Sequence, residues 1–279
     1  MRGAQLREAL RSGKRVYGIA MESYGQPRWP AYFARLNLDY VWLESEHAPH
    51  NRETIAWALQ AYAAHGIAPL LRIPEISAAR AAMAVDAGAH GVIVPYVETV
   101  TQVKDIVGAV KYRPLKGQSL RRALDEGVFP DATTEAYLQS YNPDAVVIIM
   151  IESQTGIDNL PDLLAVPGVD AVLMGPHDLT VNLGIAEQYD HPRFLEACKT
   201  IARICREHGV GSGIHYISGD LDRAQAWAED WGCNLISHRG DTLFVARGVE
   251  TELDELRRRL DGEQIESRPD EVGKSGHLK

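Results

Sequence analysis

Apolar residues along the chain follow two alternating rhythms. Short runs rich in Val, Ile and Leu are followed by longer stretches whose apolar positions recur at helical spacing, the pattern of βαβ units around a parallel sheet. The runs predict strands over 16–21, 40–43, 69–73, 91–95, 145–151, 171–174, 213–216 and 234–237. Several are unbroken, as in Val146-Val147-Ile148-Ile149-Met150-Ile151, which is expected where both faces of a strand are buried. Helices are predicted over 51–65, capped by Asn51 and closed by Gly66, over 77–87, closed by Gly88, and over 192–208, closed by Gly209. Eight such units predict a closed (β/α)8 TIM barrel. The open doubly wound alternative lacks its Gly-rich fingerprint after the first strand.

The rhythm breaks at 111–144, where a basic loop and a short helix over 134–140 form an insertion expected to shape an active-site rim. Residues 1–260 are read as a single catalytic barrel. Residues 261–279, polar and containing Pro269 and Gly273, are read as a flexible tail. The chain's 279 residues, 45% of them hydrophobic, suffice for one large core. A net charge of -9 provides no basic footprint for nucleic acid. Cys198, Cys205 and Cys233 show neither a disulfide framework nor metal-ligand spacing. With no apolar stretch approaching the ~20 residues of a membrane span and no apolar signal core, the expectation is a soluble cytoplasmic protein.

Catalytic groups in such a barrel project from the C-terminal ends of the strands. There the sequence places Glu44-Ser45-Glu46-His47 after the second strand, Arg72 at the end of the third and Glu152 at the end of the fifth. Gly175-Pro176-His177-Asp178 follows the sixth and His238-Arg239-Gly240-Asp241 the eighth. So many charged groups on one rim point to an enzyme. Glu152 and Asp178 suit a hard, open octahedral site for Mg²⁺, Mn²⁺ or Co²⁺, or else each caps the helix that follows. Arg72 either holds a 2-oxo acid and its enolate oxygen or makes a structural ion pair with a rim carboxylate. His47 is a general-base candidate or a structural histidine. No lysine falls at a strand's C-terminal end, so Schiff-base chemistry is unsupported.

Taken together, several motifs resemble the HpcH/HpaI aldolase family, of the phosphoenolpyruvate/pyruvate barrel type. They are Val41-Trp42-Leu43-Glu44-Ser45-Glu46-His47-Ala48-Pro49, Arg72-Ile73-Pro74, Asp86-Ala87-Gly88-Ala89, Gly91-Val92-Ile93-Val94-Pro95, Ile151-Glu152-Ser153 and Gly175-Pro176-His177-Asp178-Leu179. The resemblance implies a class II, metal-dependent lyase that reversibly cleaves a 4-hydroxy-2-oxo acid, by way of a metal-bound enolate, to pyruvate (or a close 2-oxo acid) and an aldehyde. It implies Glu152 and Asp178 as metal ligands, Arg72 at the enolate oxygen and backbone at Gly175, Pro176, His177 and Asp178 around the substrate carboxylate. His47 is implied in proton transfer, supported by Asp86 from an adjacent subunit, with Glu44 and Glu46 as additional site residues. A homo-oligomer is implied, often a hexamer of paired barrels, with the last helix exchanged between partners.

The sequence departs from the family pattern at Glu44 (usually Asp), Ser45 (usually Gly), Met150 (commonly Gln), His177 (commonly Ala) and the 112–117 loop. These departures leave the aldehyde partner open. Oxaloacetate decarboxylation and a biosynthetic carbon–carbon bond formation use the same enolate. A non-catalytic barrel that binds 2-oxo acids is the reading from another class.

Overall fold

The computed structural model describes residues 1–23, 26, 28–216 and 220–262. Eight strands, β1 (Val16–Met21), β2 (Tyr40–Glu44), β3 (Ala68–Arg72), β4 (Gly91–Val94), β5 (Val146–Ile151), β6 (Ala171–Met174), β7 (Gly211–Tyr216) and β8 (Leu235–Gly240), pair in parallel and in sequence order into a closed barrel. Twelve helices accompany them among the described residues. They are α1 (Gly3–Arg11), α2 (Trp29–Phe33), α3 (Arg52–Ala64), α4 (Ala78–Asp86), α5 (Val100–Lys111), α6 (Gly117–Glu126), α7 (Ala132–Tyr141), α8 (Gln154–Ala165), α9 (Pro176–Asn182), α10 (Pro192–Glu207), α11 (Leu221–Asp230) and α12 (Asp241–Leu260). The fold is the (β/α)8 barrel that the alternation predicts.

Alternation along each strand divides the core in two. Outward residues such as Val41, Leu43, Val147 and Ile149 pack beneath the helices. Inward residues such as Tyr40, Trp42, Leu70, Ile148, Met150 and Leu173 fill the barrel. Leu6 and Leu10 of α1 join that inner cluster, so the first helix closes the barrel at the N-terminal ends of the strands. Inside, Gly18 of β1 is fixed by Tyr40, because a Cβ there would lie 2.5 Å from the phenol ring.

Local signals hold at the expected helix ends. Asn51 accepts the Thr54 amide at 2.8 Å and Ser77 the Arg80 amide at 3.3 Å, each capping its helix. Two strands differ from expectation by more than one residue at an end. β7 begins at Gly211 rather than 213, since Gly211 and Ser212 pair with Ala171 and Val172 of β6 while carrying no apolar signal. β8 extends to Gly240, so His238 and Arg239 belong to a strand rather than a loop.

The insertion at 111–144 also requires correction. It contains two helices, α6 and α7, and joins the end of α5 to the start of β5, so both its ends lie at the base. Leu120 and Leu124 of α6 pack on α5 at Gly108, and Tyr112 meets Phe129 edge to face at 5.4 Å. With Arg7, Arg11 and Lys111 the insertion frames a hollow of about 490 Å³ at the base, not the rim of its own barrel's mouth. Of the expected tail, 263–279 lies outside the described residues.

Candidate active site

The in-facing rows of the strands rise to a cluster of charge at the C-terminal mouth. Glu44 ends β2 and stands in register with Arg72, the last residue of β3. Both are buried, and the Arg72 guanidinium bonds the Glu44 carboxylate through Nη2. Its Nη1 reaches the Glu46 carboxylate at 3.2 Å. The other Glu44 oxygen accepts the amides of Glu46 at 2.5 Å and His47 at 3.0 Å, so one carboxylate shapes the loop and anchors the guanidinium. Ser45 Oγ donates to the Arg72 carbonyl at 2.5 Å, tying the two strand ends together. The structural reading of Arg72, an ion pair with rim carboxylates, is what the structure shows, and those pairs hold the guanidinium at the mouth.

His47 is exposed on the rim, with Nε2 at 3.9 Å from Glu46. Partial burial and the Arg72 charge lower its pKa below the ordinary value, against the opposing pull of Glu44 and Asp178.

Glu152 follows β5 and is 4% exposed. Burial first, and then the charge of Asp178, push its carboxyl up to about 7. One oxygen accepts the Tyr96 amide at 2.8 Å. The other lies against Gly175, where a Cβ would stand 2.1 Å from it. Capping is excluded for Glu152, because Ser153 caps α8 by accepting the Gly156 amide at 3.0 Å. Asp178 is likewise no cap: it is exposed in the first turn of α9, which Gly175 begins. Gly175 and Pro176 are buried at the mouth, and His177 lies 3.8 Å from Glu187. Asp86 stands apart from all of these. It ends α4 at the base, exposed, with its carboxylate bonded to Arg113.

A buried carboxyl, Glu152, with a second carboxylate, Asp178, near enough to raise its pKa suits a divalent cation of the Mg²⁺ type. Among the described residues, no group of three or more His, Cys, Asp or Glu is placed to hold a metal.

Three roles escape sequence reading. Tyr96 holds Glu152 from a backbone at φ 52°, a conformation that nothing in Pro95-Tyr96 announces. Asp241, buried at the start of α12, accepts the amides of Glu22 at 2.8 Å and Ser23 at 2.9 Å and so joins the ends of β1 and β8. Trp42 lies beneath Arg72 and reads in the sequence as one more core residue, although its inward parity with Glu44 was available.

A sequence profile of HpcH/HpaI aldolases and citrate lyases matches residues 26–235. The chain belongs to this family. Family membership makes it a carbon–carbon lyase. It is 29% identical over 255 residues to 2-keto-3-deoxy-L-rhamnonate aldolase of Escherichia coli O9:H4 (strain HS), a match covering 88% of this chain and 91% of that one. The HpcH/HpaI aldolase of Desulfitobacterium hafniense DCB-2 superposes with a TM-score of 0.78 at 26% identity, covering 95% of this chain and 99% of that one. The citrate synthase SbnG superposes at 0.75 with 27% identity, covering 92% and 98%. Among the described residues no helix is long and apolar enough to cross a membrane.

Proposed function

We propose that this HpcH/HpaI protein reversibly cleaves a 4-hydroxy-2-oxo acid to pyruvate, or a close 2-oxo acid, and an aldehyde. The observation that carries the reading is the Glu152–Asp178 pair facing Arg72 across one mouth. Glu152 and Asp178 would hold Mg²⁺, Mn²⁺ or Co²⁺, with further positions left to substrate and water. When bound, such a cation supplies Lewis acidity that favours the enolate form of a 2-oxo acid.

The remaining roles fall to the chain's own residues. Arg72 places a fixed positive fork where the C2 oxygen gains charge as the C3–C4 bond breaks. Backbone N–H groups among Gly175, His177 and Asp178 seat the carboxylate, and Pro176 fixes the turn that presents them. His47, its pKa lowered in favour of the neutral ring, takes the C4 hydroxyl proton as the aldehyde forms and returns a proton to C3 of the enolate. Glu44 and Glu46 hold Arg72 and the His47 loop.

We assign the protein to a homo-oligomer, on the family pattern a hexamer of paired barrels, in which Asp86 of one chain approaches His47 of the next. The exposed stripe Phe244, Val245, Val249, Leu253, Leu256 and Leu260 on α12 supports that assembly. Three buried free cysteines accord with a reducing cytoplasmic setting.

The test is solvent deuterium exchange into the methyl group of pyruvate, followed by NMR with and without each metal. We expect metal-dependent exchange in the wild type and its loss, by roughly 100-fold or more, in Glu152→Gln and Asp178→Asn with the fold unchanged. Full exchange in either variant overturns the metal assignment. The likeness to the citrate synthase SbnG favours a second reading, in which the same enolate is used to make a carbon–carbon bond. Product analysis with aldehydes and with oxo-acid acceptors separates the two.

A further inference from the structure

The two ion pairs of Arg72 fix its terminal nitrogens but leave the tilt of the guanidinium plane open. A second set of contacts addresses that tilt. Trp42, two residues before Glu44 on the same inward row of β2, is 1% exposed, and the Arg72 guanidinium carbon lies 5.3 Å from its ring centre. The indole is itself fixed from two further strands. Its Nε1–H donates to Ser237 Oγ of β8 at 3.0 Å. The His215 ring of β7 meets it edge to face, with centroids 4.9 Å apart and planes at 81°. His215 Nε2 is in turn 3.3 Å from the Arg239 carbonyl. Met150 Sδ lies 3.9 Å from Arg72 Nη1 on the opposite wall. Among the described residues, Arg72 Nε is buried and has no hydrogen-bond partner, so none of their acceptors holds this part of the fork.

We propose that Trp42 is a positioning residue for Arg72: its ring face, locked by Ser237 and His215, sets the plane in which the guanidinium meets the substrate oxygen. A cation over a desolvated indole is held strongly, and an anchored ring gives that hold a direction. The inference rests on the role of Arg72 proposed above. Trp42 would then affect the step in which charge develops rather than the binding of the ground state.

The experiment compares wild type, Trp42→Leu, Trp42→Phe, Arg72→Lys and the Trp42→Leu/Arg72→Lys double variant as full chains. Pyruvate methyl exchange with Mn²⁺ is the probe. Trp42→Leu is expected to lower kcat about 10-fold or more while KM stays within about threefold. Trp42→Phe, which keeps a ring face, is expected to retain most of the rate. In the Arg72→Lys background, the further loss from Trp42→Leu is expected to fall below about threefold, because a residue acting through Arg72 has little left to act on. An unchanged rate in Trp42→Leu, or the same loss in both backgrounds, overturns the proposal. If the wild type exchanges no pyruvate with any metal, the functional reading fails by itself. The same four-way cycle on urea unfolding midpoints then decides the contact: non-additive shifts support it, and additive shifts overturn it.

Discussion

At the scale of single residues, the site depends as much on what is missing as on what is present. Gly175 has no side chain where Glu152 places its second oxygen, and any Cβ would force the carboxylate aside. Gly175→Ala is therefore expected to keep the barrel folded, because the clash is with the Glu152 side chain rather than with backbone and the φ of -90° suits alanine. Metal-dependent pyruvate exchange should fall by about 10-fold or more as Glu152 loses its position. Circular dichroism and the exchange rate together check this, and a wild-type rate in Gly175→Ala would show that Glu152 needs no such space. Strand-end residues were legible in the sequence for a geometric reason: a barrel's topology alone places them at the mouth. Arg72, Glu44, Glu46, His47 and Glu152 follow from that rule. The part Trp42 plays does not, because a buried tryptophan looks the same in sequence whether it fills space or carries a cation.

At the scale of elements, legibility followed burial. β5 and β6 are continuous apolar runs and stand where the pattern places them. β7, built from Gly211, Ser212, Gly213, Ile214, His215 and Tyr216, keeps its inner positions small or polar, and the pattern caught only its last four residues. The two helices of the insertion were read as one because α6 is strongly polar, with Ala123 alone fully buried. α12 is the element whose surroundings are least complete in one chain. Of its twenty residues Asp241 alone is buried, and its apolar stripe lies open. An open stripe of this length calls for a partner. Leu253→Glu is expected to lower the assembly's mass, measured by light scattering on a sizing column at micromolar concentration. A monomeric wild type, or an unchanged mass in the variant, would remove α12 from the interface.

At the scale of the whole molecule, the polar interior sets a limit toward acid. His215 lies beside Trp42 and below Arg72, where burial, and after it the Arg72 charge, lower its pKa to about 4. An unfolded histidine takes up its proton near pH 6.5. Between these values the unfolded chain binds the proton and the folded one does not. His215 thus contributes its full stability above about pH 6.5, and the contribution is lost as the pH falls toward 4. The urea midpoint is expected to decline across this window, and His215→Asn should flatten the decline; an unchanged slope in the variant would assign the acid sensitivity to other groups. The base of the molecule carries a different consequence. With the in-facing side chains packed below Arg72, and Leu6 and Leu10 beneath them, the barrel of the described residues gives access to its site from the mouth alone, as a shallow well does. Traffic in a well is last in, first out. On the proposed site, a 2-oxo acid seated at Gly175 and Glu152 would lie deeper than the aldehyde, so it would enter ahead of it in synthesis and leave behind it in cleavage, and the packed floor of the barrel would set the order of the kinetic mechanism.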